Sequence, residues 1–286
     1  MNRILGLKID VDTYQGMRRG VPRLLSLLRR EGLRATFFLS IGPDASGRAV
    51  FQILKNPRFL KKMVRTRAAA LYGFRTALYG TLLPSPMIAL SFPHLVRQIT
   101  AEGHEVQFHA WDHRRWQDEL ALRPEVWIRD WFRQGIGGFE SLTGRRPSSF
   151  GAPAWLIDDR VLSLVRDLHL DYLSCTRAKE PFIHEGTDLL EIPSDLPCFE
   201  ETGIDEGERK ILTGLSDGGI HVLPVHAEVE GGRMSNNFLR LIHAAKMLGF
   251  CIMPLCDIHP LLDRKNLMTR RFRLQLLPGR SVPCAV

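Results

Sequence analysis

Cysteine is scarce in this chain of 286 residues: five, at Cys175, Cys198, Cys251, Cys256 and Cys284, with no C-x-x-C among them. An odd, scattered set argues against a disulfide framework and against a cysteine zinc site, and predicts reduced thiols in a cytoplasmic compartment. Long apolar runs are missing too. None approaches the roughly 18–20 residues of a membrane-crossing helix. The opening residues, M-N-R-I-L-G-L-K-I-D, are interrupted by Lys8 and Asp10 and offer no small-residue cleavage site, so they read as a strand rather than a signal peptide. Repeats and low-complexity tracts are also absent. The most informative gap is acidic. From Ala45 to Ala101 there is no Asp or Glu, while the same stretch holds Arg48, Lys55, Arg58, Lys61, Lys62, Arg65, Arg67, Arg75 and Arg97. The chain's net charge of +8 is therefore concentrated in one segment.

What is present alternates between strand-like and helix-like periods. Strands are predicted at Ile4–Ile9, Thr36–Ser40, Glu105–His109, Ser148–Phe150, Tyr172–Ser174, Leu190–Ile192, His221–Val225 and Cys251–Leu255. Helices are predicted at Val21–Arg30, Phe92–Glu102, Pro124–Leu142, Asp158–Asp167 and Asn236–Leu248. Such alternation implies a mostly parallel sheet. Over this length it predicts an α/β distorted barrel with fewer than eight regular strands and a basic helical insertion. The catalytic domain is placed at residues 1–264, the insertion at about 45–91 and a basic tail at 265–286.

In barrels of this kind, chemistry gathers at the carboxyl ends of the strands. Asp10 and Asp12 end the first strand and, at i and i+2, share one face. His109 and His113 follow the third strand in F-H-A-W-D-H. Taken alone, each pair has an ordinary explanation: a solvated strand end, or two histidines near the surface. Taken together, one Asp and two His form a three-ligand metal site with open positions, and the other Asp is free to act as a general base. Asp/His/His accepts zinc, cobalt, manganese, nickel or iron. His226, in L-P-V-H-A-E-V-E-G, ends a late strand where a general acid would stand.

These residues carry a resemblance. D-V-D, H-A-W-D-H and the late strand ending in His resemble the polysaccharide deacetylase (NodB-type) family. Within it, D-V-D-T-Y-Q-G, S-I-G-P-D-A-S-G-R, A-A-A-L-Y-G, H-A-W-D-H-R-R-W-Q and H-A-E-V-E-G resemble a branch of deformylases. That branch acts on 4-formamido-L-arabinose carried on undecaprenyl phosphate. The resemblance implies a distorted β/α barrel and metal-dependent amide hydrolysis. It also implies Asp10 as base, Asp12, His109 and His113 as metal ligands, and His226 as acid. The backbone N–H of Ala154, after Pro153, would serve the oxyanion; Trp155 reads either as a wall of the sugar site or as a buried residue packing the core. The family's loop arginine is missing, since Gly151 stands in its place.

The implied partners are an undecaprenyl-phosphate-linked amino sugar and an anionic membrane surface, with the enzyme peripheral on the inner face of the cell membrane. A deacetylase of another glycan is the competing enzymatic reading. Aromatics within the basic segment (Phe59, Tyr72, Phe74, Tyr79) also fit a nucleic-acid binding module. A full set of acid, base and ligands argues against that, so no nucleic acid is expected as a partner.

Overall fold

The structure is a computed structural model and describes residues 3–49, 76–280 and 282–286. Of the insertion placed at about 45–91, residues 50–75 lie outside the described residues.

The chain opens on β1 (Arg3–Val11), a mostly apolar strand buried on both faces, as parallel strands inside an α/β fold are. A π-helical turn at Gly16–Gly20 leads into α1 (Val21–Glu31), which has Pro22 in its first turn and buries Val21, Leu24, Leu25, Leu27 and Leu28. Gly32, at φ 65°, ends α1 as a left-handed cap. Then come β2 (Thr36–Ser40), α2 (Pro93–Ala101), β3 (Glu105–Ala110), α3 (His113–Glu119), α4 (Glu125–Thr143), β4 (Ser149–Phe150), α5 (Asp159–Arg166) and β5 (Tyr172–Leu173). The second half adds β6 (Phe182–His184), β7 (Leu190–Glu191), α6 (Phe199–Thr202), α7 (Ile204–Gly214), β8 (Gly219–His226), α8 (Ser235–Met247), β9 (Cys251–Met253) and α9 (Leu255–Ile258). Three short strands follow: β10 (Thr269–Arg270), β11 (Leu274–Gln275) and β12 (Cys284–Ala285).

Among the described residues, ten strands form one sheet in the order β10-β6-β7-β5-β4-β3-β2-β1-β8, with β9 paired to β1 as well. Every pairing in it is parallel except β6 with β7. Only β1, β2, β3 and β8 exceed three residues. This is the distorted barrel that the alternation predicts.

The alternation of side chains along β1 sorts two cores. Leu5, Leu7, Ile9 and Val11 join the large cluster under the helices. Ile4 joins a smaller cluster with Phe38, Tyr172, Leu190, Val222, Leu255 and Ile258, which fills the inside of the curl. Lys8 and Asp10 share the parity of Ile4, so they too face the interior. Residues 265–286, set apart from sequence as a tail, end in β12, where Cys284 and Ala285 are fully buried. There the Arg177 amide donates to the Ala285 carbonyl at 2.8 Å.

Candidate metal and acid–base site

Strand register assembles the site. Asp10 on β1 pairs with His226, the last residue of β8, and the Ala227 amide donates to the Asp10 carbonyl at 2.9 Å. His109 lies on β3 and His113 opens α3. Between them the Asp112 carboxylate accepts from the Arg115 amide at 2.9 Å, an N-cap that starts the helix at His113 and swings its ring back toward His109. The two imidazole centroids are 5.2 Å apart. Asp12, His109 and His113 each offer one donor atom, and all of these lie within 4.8 Å of one another.

The chemistry of this trio fits a cation. His109 Nδ1 lies 2.6 Å from the Gly151 carbonyl. A carbonyl only accepts, so Nδ1 carries the proton and Nε2 offers a lone pair. Nε2 nevertheless faces Asp12 Oδ1 at 3.1 Å, and both atoms are buried without a hydrogen-bond partner. Two acceptors at that distance repel unless a positive charge lies between them. His113 Nε2 faces the other Asp12 oxygen at 3.3 Å. Burial alone would raise the Asp12 carboxyl, but the neighbouring imidazoles of His113 and then His109 hold it far below the usual range. Burial pulls His113 down to about 4, leaving it neutral and able to ligate at neutral pH.

Asp10 is buried, and its Oδ2 accepts from Lys8 Nζ at 2.7 Å, with both side chains almost wholly enclosed. Lys8 was not singled out from sequence, although it stands two residues before Asp10 on the same strand face. It supplies the cation that the loop at Gly151 lacks. A Cβ at Gly151 would lie 2.8 Å from the Phe38 ring, so this position has no room for an arginine. Lys8 Nζ lies 5.1 Å from the ring centroids of both Phe38 and Trp155.

Trp155 is 3 % exposed and meets the His226 ring edge-on, centroids 6.2 Å apart. Burial alone would depress His226. The charge of Glu200, the contact with Cys198 and the charge of Asp12 outweigh it and raise the imidazole well above its ordinary value. That keeps it charged and able to give up a proton. The turn Pro153–Trp155 is unusual: Ala154 and Trp155 both have positive φ, 56° and 52°. Around the indole stand Arg177 and Arg280, with guanidinium carbons 4.7 and 4.8 Å from its ring centroid. Glu201 accepts from both arginines.

Two loops interlock behind the site. A Cβ at Gly20 would lie 1.9 Å from the Ala227 carbonyl oxygen, and one at Gly231 would lie 2.5 Å from the Gly20 carbonyl oxygen. D-V-D-T-Y-Q-G-M-R-R-G and H-A-E-V-E-G thus press backbone to backbone, which aligns Asp12 and His226. In the second loop, Glu230 Oε2 accepts from the His226 amide at 2.7 Å, and Glu228 turns a buried, unpartnered carboxylate oxygen toward Gly16.

Residues 7–173 match the sequence profile of the polysaccharide deacetylases. The chain belongs to the polysaccharide deacetylase family. Its members hydrolyse amide bonds and depend on a metal ion, and among the described residues Asp12, His109 and His113 form a group able to hold one. Among curated relatives, a Shewanella sediminis protein is 34% identical over 92% of this chain and 87% of its own length. It is named "Probable 4-deoxy-4-formamido-L-arabinose-phosphoundecaprenol deformylase ArnD". A Wigglesworthia glossinidia brevipalpis protein of the same name is 27% identical over 93% of this chain and 96% of its own. Among solved structures, a Mycobacterium smegmatis protein provisionally named a polysaccharide deacetylase superposes with a TM-score of 0.66 at 20% identity. That match covers 97% of this chain and 96% of the other, and it shows the same fold.

Proposed function

We propose that this polysaccharide deacetylase-family enzyme removes the formyl group from 4-formamido-L-arabinose carried on undecaprenyl phosphate. The products are formate and the free amino sugar, a modification of the kind used on lipid A to resist cationic antibiotics. The observation that carries this reading is the 34% identity to the Shewanella sediminis protein across nearly the whole of both chains.

Each residue has a part. Asp12, His109 and His113 would hold one divalent metal ion, which supplies Lewis-acid polarisation of the amide carbonyl. Asp10, oriented by Lys8, takes the proton from the attacking water. The Ala154 amide donates to the oxygen on which charge develops. Trp155 and Leu156 amides turn back to Ala152 and Pro153, which leaves the Ala154 amide outside the turn's own hydrogen bonds. His226, charged before the reaction, protonates the departing nitrogen.

A lipid-linked substrate supports a working position for the enzyme at the cytoplasmic membrane surface. Among the described residues, no helix is long and apolar enough to cross a membrane. The basic segment 55–86, whose described end exposes Leu82, fits peripheral contact with anionic lipid.

Mass spectrometry of the lipid-linked sugar before and after incubation tests the activity. Loss of one carbonyl unit with release of formate is the expected result. An unchanged formamido sugar, with N-acetyl glycans deacetylated instead, would overturn it.

A further inference from the structure

We propose that Arg280, near the chain's end, is a positioning residue for the oxyanion turn, so that residues after 264 are part of the active site. The inference rests on the reading above, in which the Ala154 amide serves the developing oxyanion.

Ala154 and Trp155 are consecutive non-glycine residues in the left-handed region, at φ 56° and 52°. That conformation is disfavoured for any side chain with a Cβ and persists only where the surroundings enforce it. The local turn supplies little: two backbone hydrogen bonds, from Trp155 to Ala152 and from Leu156 to Pro153. Trp116 Nε1 donates to the Leu156 carbonyl at 2.8 Å, and further grip comes from far along the chain. Arg280 Nη2 donates to the Ala154 carbonyl at 2.8 Å, and Arg280 Nη1 to Glu201 Oε1 at 3.0 Å. One planar guanidinium thus bridges the turn to Glu201 while lying against the Trp155 ring. Arg177 packs against the same indole, shares Glu201, and is fixed by the Ser194 and Leu196 carbonyls at 2.6 and 2.9 Å.

The approach of the C-terminal segment is itself built. Gly279, at φ 85°, passes so close to Glu201 that a Cβ would lie 2.2 Å from its carbonyl oxygen. Beyond Arg280, the buried β12 pairs antiparallel with β11. Arg177, Glu201 and Arg280 all lie after residue 173, where the family profile ends. The turn lies within the matched profile, and the residues that restrain it lie outside it.

The test uses the full chain loaded with metal. Arg280→Met is expected to lower kcat about tenfold to a hundredfold. KM should stay within about twofold and bound metal should stay stoichiometric. Hydrogen exchange at amides 152–156 should speed up while the rest of the barrel is unchanged. Adding Ala154→Gly should recover part of the lost kcat, because glycine adopts this φ without strain. The inference is overturned by a kcat for Arg280→Met within about twofold of wild type, by a loss that merely tracks unfolded or metal-free protein, or by no recovery with glycine. Failure of the functional reading looks different: wild type then releases no formate from undecaprenyl-phosphate-linked 4-formamido-L-arabinose. Exchange at 152–156 alone then decides whether Arg280 holds the turn.

Discussion

At the scale of single residues, the proposed reading separates groups that would hold the cation from groups that would move protons. His109→Ala or His113→Ala removes a lone pair from the trio, so bound metal and activity should vanish together in metal analysis. Asp10→Asn and His226→Ala leave the trio intact. They should keep stoichiometric metal yet lose about a hundredfold or more in rate, the usual scale of general acid–base help. Activity within a few-fold of wild type in either would remove that residue from its role. Lys8 adds a stability consequence. Lys8→Met would leave the Asp10 carboxylate buried without its cation, which costs on the order of 3 kcal/mol. Thermal melts should show the drop, and Lys8→Met with Asp10→Asn should recover much of it as a non-additive pair. The proposed acid, base and ligands stand out as candidates because most of them lie at or just after the ends of strongly periodic strands. Lys8 was legible in principle, two residues before Asp10, but its role emerges only when Phe38 fills the space at Gly151. Arg280 and Glu201 had no local signal, since they meet across 79 positions of chain.

At the scale of elements, sequence periodicity located the long strands and helices to within a residue or two. Thr36–Ser40 was predicted with its observed ends, and α1, α2, α4, α5 and α8 appear where their apolar spacing put them. The elements passed over are short or carry a glycine within them. α3 buries only Trp116, α7 carries Gly207 inside it, and β6, β10, β11 and β12 are two or three residues long. The π-helical turn at Gly16–Gly20 was also unforeseen, and it is what lets the loop after β1 meet the loop after β8. Gly20→Ala would drive a methyl group into the Ala227 backbone, which cannot rotate away as a side chain would. The expected cost is about 1–3 kcal/mol, typical of overpacking, with weakened metal affinity because Asp12 and His226 lose their common support. A variant that melts and binds metal like wild type would show that the two loops are not coupled.

At the scale of the whole molecule, distant parts of the chain converge on the barrel's carboxyl end. Burial alone would raise the Glu201 carboxyl, but Arg177 and Arg280 pull it from 4.5 down to about 2. Below pH 4.5 the unfolded chain therefore takes up a proton that the folded chain refuses. The stabilisation is complete above about 4.5 and is lost as pH falls toward 2, on the order of 3 kcal/mol in all. Arg280→Met should flatten this acid limb of a stability-against-pH curve; an unaltered limb would mean that Arg280 does not hold the Glu201 charge. The acid-free stretch from Ala45 to Ala101 has its residues 50–75 outside the described residues. Between Lys55 and Pro86 it interleaves Phe59, Leu60, Met63, Val64, Leu71 and Phe74 with seven Lys and Arg. Each cation close to an anionic bilayer contributes about 1 kcal/mol, so even half of them would give salt-sensitive binding without deep insertion. Sedimentation with anionic vesicles should carry the protein down at low salt, release it at high salt, and leave it in solution with neutral vesicles. Changing Lys61, Lys62, Arg65 and Arg67 to Gln should abolish the anionic binding while formyl release from a short-chain, water-soluble analogue stays intact, because none of the four belongs to the barrel's acid–base set. Equal sedimentation of both proteins at either salt concentration would reject lipid contact and return this segment to the role of an ordinary basic surface.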